Sequence, residues 1–369
     1  MITELAVKDF KTLRDVKLPL APRITVLVGA NNSGKSNALA VIRMLGETAR
    51  VGDIDAAVQA SGGLISLMPR GTREIFSIQV TMAIEDGRLD YVLAPWSTRN
   101  LGVEQVRFTG PASTHSYSRQ DQLFQVGSRS ISGPAGSGLR LLAEMSLGPF
   151  PAAHEFLSGI KVVDLSVASL RAASMVQKGV ALGPDGQNLA AVLDALAGER
   201  PIDRDVIEDE VRRAAHEVKK VLTQNGPQPG TKVAGIMETS GEVFGADCMS
   251  DGVLLFIGIS VAAHLPAQRK TLIAIEEPER GIHPRRLSEV MDQLRRVAEQ
   301  GTQIVLTTHS PVLLNEFRDF PECVLIFDRD ETGSHVTKLS DRPDWVAALR
   351  TAPLGELWYA GVLGGVPTR

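Results

Sequence analysis

The chain has 369 residues, 43% hydrophobic and 22% charged, a balance that excludes a disordered or fibrous protein and allows a sizeable buried core. A formal charge of -4 gives no overall basic field, so any nucleic-acid contact has to come from a local patch. The two cysteines, Cys248 and Cys323, lie far apart with no disulfide-framework or zinc spacing, and a reducing cytoplasm fits them best.

In chain order, "ITELAVKDF" and the β-branched "ITVLVGA" read as strands, the second of the kind buried on both faces. The opening residues lack the apolar core of a signal peptide. Behind the second strand comes "GANNSGKSN", then "KSNALAVIRML" with Leu39, Val41, Ile42 and Leu45 at helical spacing. From Glu74 to about Gly110 the apolar pattern alternates and predicts an antiparallel β unit with a turn at "EDGR". Residues 111–138 are rich in serine and glycine and are expected as a loop. Helical patterns follow around Leu139–Met145, Asn188–Leu196 and Asp203–Leu222. Beyond "NGPQPGT", two short strands lead to an apolar helix at Gly252, too short to span a bilayer. "TLIAIEE" and "QIVLTTHS" are buried strands around the amphipathic "PRRLSEVMDQLRRVAEQ".

The expected fold class is therefore α/β, with a mixed or parallel central sheet, an antiparallel β unit and a helical insertion. The predicted divisions are an N-terminal lobe over 1–137, the insertion over 138–230 and a C-terminal lobe over 231–369.

Four motifs carry chemistry. Gly29 to Ser36 fits G-x-x-x-x-G-K-[ST] between a strand and a helix, the context a phosphate-binding loop requires. Backbone N–H groups of Asn31, Asn32, Ser33 and Gly34, with the helix start at Lys35, Ser36 and Asn37, would bind phosphate oxygens. Lys35 would reach the β- and γ-phosphates, and the Ser36 hydroxyl would serve Mg²⁺. Glu276 and Glu277 end a buried strand, where open parallel sheets bind ligands. There Glu276 would join the metal shell, and Glu277 would orient or deprotonate an attacking water. An acidic helix cap before Pro278 is the competing reading. His309 ends the next strand and is expected beside the γ-phosphate, although a lone histidine at a strand end is more often structural. Ser250, Asp251 and Gly252 open the apolar helix, as an ordinary serine cap or as a second anion-binding helix start.

In that order the motifs resemble the P-loop NTPase heads of the ABC-ATPase type found in the SMC-like, RecF-like and OLD-family group. The similarity runs from Met1 to about Leu339 and is greatest to compact bacterial AAA family ATPases carrying "EEPE...HP" and "THSP". The resemblance implies ATP and Mg²⁺ as cofactors and makes "MSDG" the signature motif, with Ser250, Asp251 and Gly252 meeting the γ-phosphate held by a second copy. Lys11 would lie near the nucleotide, and Arg280 stands where asparagine is frequent. The glutamine that couples nucleotide to partner could be Gln120, Gln122 or Gln125.

The implied function is an ATPase that closes as a head-to-tail homodimer around ATP and controls a separately encoded DNA-processing or antiviral-defence effector, such as a nuclease. DNA is a possible partner; a membrane is not expected. A slowly hydrolysing or non-hydrolysing scaffold is the alternative. Asp328 and Asp330 read as a polar turn rather than a nuclease site, and Trp358–Tyr359 as a tail helix packed on its own core.

Overall fold

A computed structural model of the chain describes residues 1–71, 75–85, 87–95, 103–111, 114–120, 123–126, 129–132, 137–146, 148–178, 181–265 and 270–366. The chain begins with β1 (Ile2–Phe10), β2 (Leu13–Pro19) and β3 (Ile24–Gly29), then α1 (Lys35–Val51), α2 (Ile54–Ala60) and α3 (Leu64–Leu67). Next come β4 (Ser77–Ile84), β5 (Gly87–Ala94), β6 (Val103–Thr109), β7 (Thr114–Gln120), β8 (Leu123–Val126) and β9 (Arg129–Ser132). The middle holds α4 (Gly138–Glu144), α5 (Phe150–Ser158), β10 (Lys161–Val163), α6 (Val167–Arg171), β11 (Ser174–Met175), α7 (Leu189–Glu199) and α8 (Pro201–Ala214). After β12 (Val218–Asn225), β13 (Thr231–Glu238) and β14 (Val243–Gly245) come α9 (Asp251–His264), β15 (Leu272–Glu276), α10 (Leu287–Glu299) and β16 (Gln303–Thr308). The chain closes with α11 (Pro311–Asn315), β17 (Val324–Asp330), β18 (Gly333–Lys338), α12 (Pro343–Ala348) and α13 (Leu354–Tyr359).

The central sheet runs β10-β15-β16-β3-β17-β18, parallel except for the final antiparallel hairpin. Its inner strands are largely apolar because alternate residues enter two cores. Val26, Ile275, Leu306 and Ile326 face the core built with α7 to α11 and α13. Leu27, Ala274, Val305 and Phe327 face the core shared with α1, α4, α5 and the sheet β2-β1-β4-β5-β6-β7-β8-β9. α9 is buried on nearly every side, which explains its unbroken apolar sequence. Trp358 lies in the first core, so the tail helix packs on its own chain, whereas Tyr359 is 78% exposed.

Three local readings need correction. Residues expected as a loop over 111–138 include β7, β8 and β9, which extend the antiparallel sheet in ladder register. β7 and β9 are rich in serine and other polar residues and show little apolar alternation, so the periodicity signal is weak. The helix predicted over Asp203–Leu222 stops at Ala214; Val218 and Val221 instead enter the core from β12, paired with β13. The stretch 138–230 is not purely helical either, because β10 joins the central sheet beside β15. At three residues, β10 is too short for a pattern to announce it.

Gln303 joins the two sheets. Its side-chain carbonyl accepts from the Ile2 N–H at 2.9 Å, while Nε2 donates to the carbonyls of Ile2 at 2.7 Å and Ala21 at 2.9 Å, all out of water. A buried backbone group left unpaired costs about 1–3 kcal/mol. Gln303→Leu should therefore lower the urea midpoint by the equivalent of about 3 kcal/mol with an unchanged slope, measured by circular dichroism.

Candidate active site at the ends of three parallel strands

The order β15-β16-β3 sets three motifs side by side. Glu276 is in register with Thr307, and Thr308 with Val28, so the chain leaves all three strands at one edge. From β3 the loop turns through Asn32 at φ 66° and Gly34 at φ 116° before α1 starts. Gly34 has no substitute there: L-residues rarely adopt that φ, and a Cβ would press on the Ser334 hydroxyl.

Asn31, Asn32, Gly34, Lys35, Ser36, Asn37, Glu277 and His309 line one cavity of about 300 Å³. Lys35 Nζ donates to the carbonyls of Gly29 at 2.8 Å and Ala30 at 2.9 Å. Burial lowers its pKa to about 8, against the opposing pull of Glu277, Glu276 and Glu279. The Ser36 hydroxyl donates to Glu276 Oε1, so a hydroxyl and a carboxylate already sit together. Two adjacent hard oxygen donors would suit a Mg²⁺ ion. Gly29 lies deeper, against Phe327, and Ser33 is buried.

Glu277 adopts φ 45°, unusual for a residue with a side chain, and its N–H is held by Thr307 through the carbonyl at 3.1 Å and Oγ1 at 3.2 Å. Its Oε2 accepts from Arg280 at 3.0 Å, and its Oε1 lies 3.4 Å from His309 Nε2. Arg280 also donates to Asp164 at 2.9 Å. The pKa of His309 is lowered, by burial first and then by Lys35, with Glu277 opposing and Arg280 adding to the fall. The neutral imidazole is thus favoured. Glu279 Oε1 accepts from Thr308 Oγ1 at 2.7 Å and the His309 N–H at 2.9 Å, fixing the loop that carries the histidine. Burial raises the pKa of Glu279.

A second cavity, about 650 Å³, shares Asn32 and Asn37 with the first and continues past Lys11, Thr12, Arg14, Met68, Arg70 and the β17–β18 turn. Lys11 is therefore in the adjoining space, not in the first cavity. Asn37 Nδ2 donates to Thr12 Oγ1 at 2.7 Å, the Ser334 hydroxyl to the same atom at 2.8 Å, and Arg329 to the Asn32 carbonyl at 3.2 Å. Thr12, Arg14, Arg70 and Arg329 were not foreseen, since nothing in sequence joins positions about 300 apart. A turn does lie here, but at residues 331–332: Asp328 and Asp330 themselves are on β17, in register with His335 and Gly333 of β18. Hydrogen bonds from Thr332 and then His335 depress the pKa of Asp330.

Ser250, Asp251 and Gly252 line neither cavity. Ser250 Oγ accepts from the Val253 N–H at 3.3 Å and caps α9, while Asp251 pairs with Arg171 at 2.5 Å. A Cβ at Gly252 would meet the Gly281 carbonyl at an ordinary contact distance of 3.7 Å. Of the candidate coupling glutamines, Gln120 and Gln125 stand on β7 and β8, three and four strands beyond β4 in the antiparallel sheet; Gln122 lies outside the described residues.

Residues 1–86 match the family model described as "AAA ATPase domain", and residues 188–315 the one described as "AAA domain, putative AbiEii toxin, Type IV TA system". Among solved structures, an SMC head bound to the C-terminal winged-helix domain of ScpA is similar at 13% identity and TM-score 0.55, covering 92% of this chain and 99% of that one. A Pyrococcus furiosus Smc head with an extended coiled coil, bound to the C-terminal domain of ScpA, is similar at 12% identity and TM-score 0.52, covering 95% and 99%. No curated protein matches the chain. The fold is that of a P-loop ATPase head of the ABC type. In fold the chain is similar to SMC heads, and residues 1–86 and 188–315 carry the two AAA matches.

Proposed function

We propose that the chain binds ATP with Mg²⁺ and hydrolyses it, closing head-to-tail on a second copy so that each cavity is completed by the partner's α9 start. The observation that carries this reading is the meeting of Lys35, Ser36, Glu277 and His309 in one cavity while Ser250 and Gly252 stay outside it. A site with a phosphate loop, a carboxylate and a histidine but no second anion-binding helix is half of a sandwich.

The loop N–H groups and the α1 terminus bind phosphate oxygens, and the Lys35 ammonium moves from the Gly29 and Ala30 carbonyls onto the β- and γ-phosphates. Ser36 and Glu276 hold the cation, which supplies charge neutralisation at those phosphates when bound. Glu277 accepts a proton from the attacking water, and His309, kept neutral, donates to a γ-phosphate oxygen. The larger cavity, with Lys11 at its wall, takes the nucleoside end. The family description naming a putative toxin of a type IV TA system, and the heads bound to ScpA, support a separately encoded partner, and the resemblance of the motifs extends this to an effector acting on DNA or in defence, in the cytoplasm.

One observation favours the second reading, a nucleotide-dependent scaffold with slow or no turnover: Glu277 Oε2 is already engaged by Arg280. Phosphate release by the wild type, against Lys35→Ala as baseline, separates the two. Turnover well above that baseline is expected. Release equal to the baseline, with ATP still bound by the wild type, would leave the scaffold.

A further inference from the structure

The turn before α9 is built by a side chain 80 positions upstream. Arg171, at the end of α6, donates from one terminal nitrogen to the Ala246 carbonyl, and from the other to the Met249 carbonyl at 3.0 Å and Asp251 Oδ1 at 2.5 Å. These three acceptors flank Ser250, whose own hydroxyl is turned onto the Val253 N–H. A planar guanidinium can serve two carbonyls and a carboxylate at fixed angles; an ammonium cannot. α6 itself is seated on α9, with Leu170 packed where a Cβ on Gly258 would intrude. The guanidinium is thus fixed to the helix whose start it shapes.

We infer that Arg171 is a positioning residue for the signature motif: it holds the Met249–Gly252 turn in the shape that the second copy's γ-phosphate meets, and so acts on the partner's ATP rather than on its own. The inference rests on the head-to-tail reading. Arg171 lines neither cavity of its own chain, so its loss should leave nucleotide binding intact. It should also remove closure.

The test is complementation between inactive chains. Arg171→Ala alone should bind a fluorescent ATP analogue with wild-type affinity, keep its far-UV circular dichroism, and lose at least tenfold in phosphate release. Mixed in equal amounts with Lys35→Ala, it should regain activity, because the mixed dimer pairs an intact phosphate loop with an intact signature motif. Random pairing gives about a quarter of wild-type turnover per chain. Ser250→Arg mixed with Lys35→Ala is the control for the head-to-tail arrangement. Recovery in both mixtures supports the inference. Recovery in the control alone overturns it and leaves the sandwich standing, as would wild-type turnover by Arg171→Ala. Recovery in neither overturns the sandwich and the inference with it.

Discussion

Glu277→Gln should lower phosphate release by about a hundredfold or more while leaving ATP affinity within a fewfold of wild type, since general-base catalysis contributes about 10²–10⁴. The geometry makes the separation sharp. Glu277 lines the cavity together with the loop, its backbone pinned by Thr307, and its charge acts on Lys35 less than burial does. Glutamine keeps an oxygen that can accept from Arg280, so the turn through Arg280 should persist. Single-turnover phosphate release alongside equilibrium binding of a fluorescent ATP analogue checks both halves. Loss of binding together with turnover would mean that Glu277 organises the loop.

Gly34→Ala should do the opposite. At φ 116° an alanine stores strain of about 1–3 kcal/mol, and its methyl group would collide with Ser334, which is buried and bonded to Thr12. The loop can relieve this only by shifting its N–H groups or by pushing the β17–β18 turn off β2. ATP affinity should fall at least tenfold, and the urea midpoint should drop by the equivalent of about 2 kcal/mol. Pairing the change with Ser334→Gly should restore part of the stability, because the collision goes, and little of the affinity, because the φ constraint stays. Equal recovery of both would show that sterics against Ser334 explain the whole effect.

Most of the site was legible because its chemistry is local. Gly29 to Ser36, Glu276–Glu277 and His309 each stand at the end of an apolar run, and parallel strands bring such ends together. The order β15-β16-β3 was not legible, since nothing in "TLIAIEE" or "QIVLTTHS" states which strand is neighbour to which. What sequence could not supply were the residues whose roles arise across the fold. Thr12 meets Asn37 and Ser334; Asp164 meets Arg280; Arg171 meets Asp251. Each pair spans 25 to more than 300 positions. The misread strands share a cause of another kind. β7 and β9 are largely polar in sequence and β10 has three residues, so none carries the apolar alternation that periodicity detects. At β12, charged Lys219 and Lys220 fall between core-facing Val218 and Val221, a spacing that fits a helix turn as well as a bulged strand.

On the head-to-tail reading the cavity is half of a site. The most direct test is the molar mass of Glu277→Gln in solution, by sedimentation equilibrium with Mg²⁺ and either ATP or ADP. A dimer in ATP and a monomer in ADP are expected, with Ser250→Arg added in the same chain abolishing the ATP dimer. A mass independent of nucleotide would contradict it.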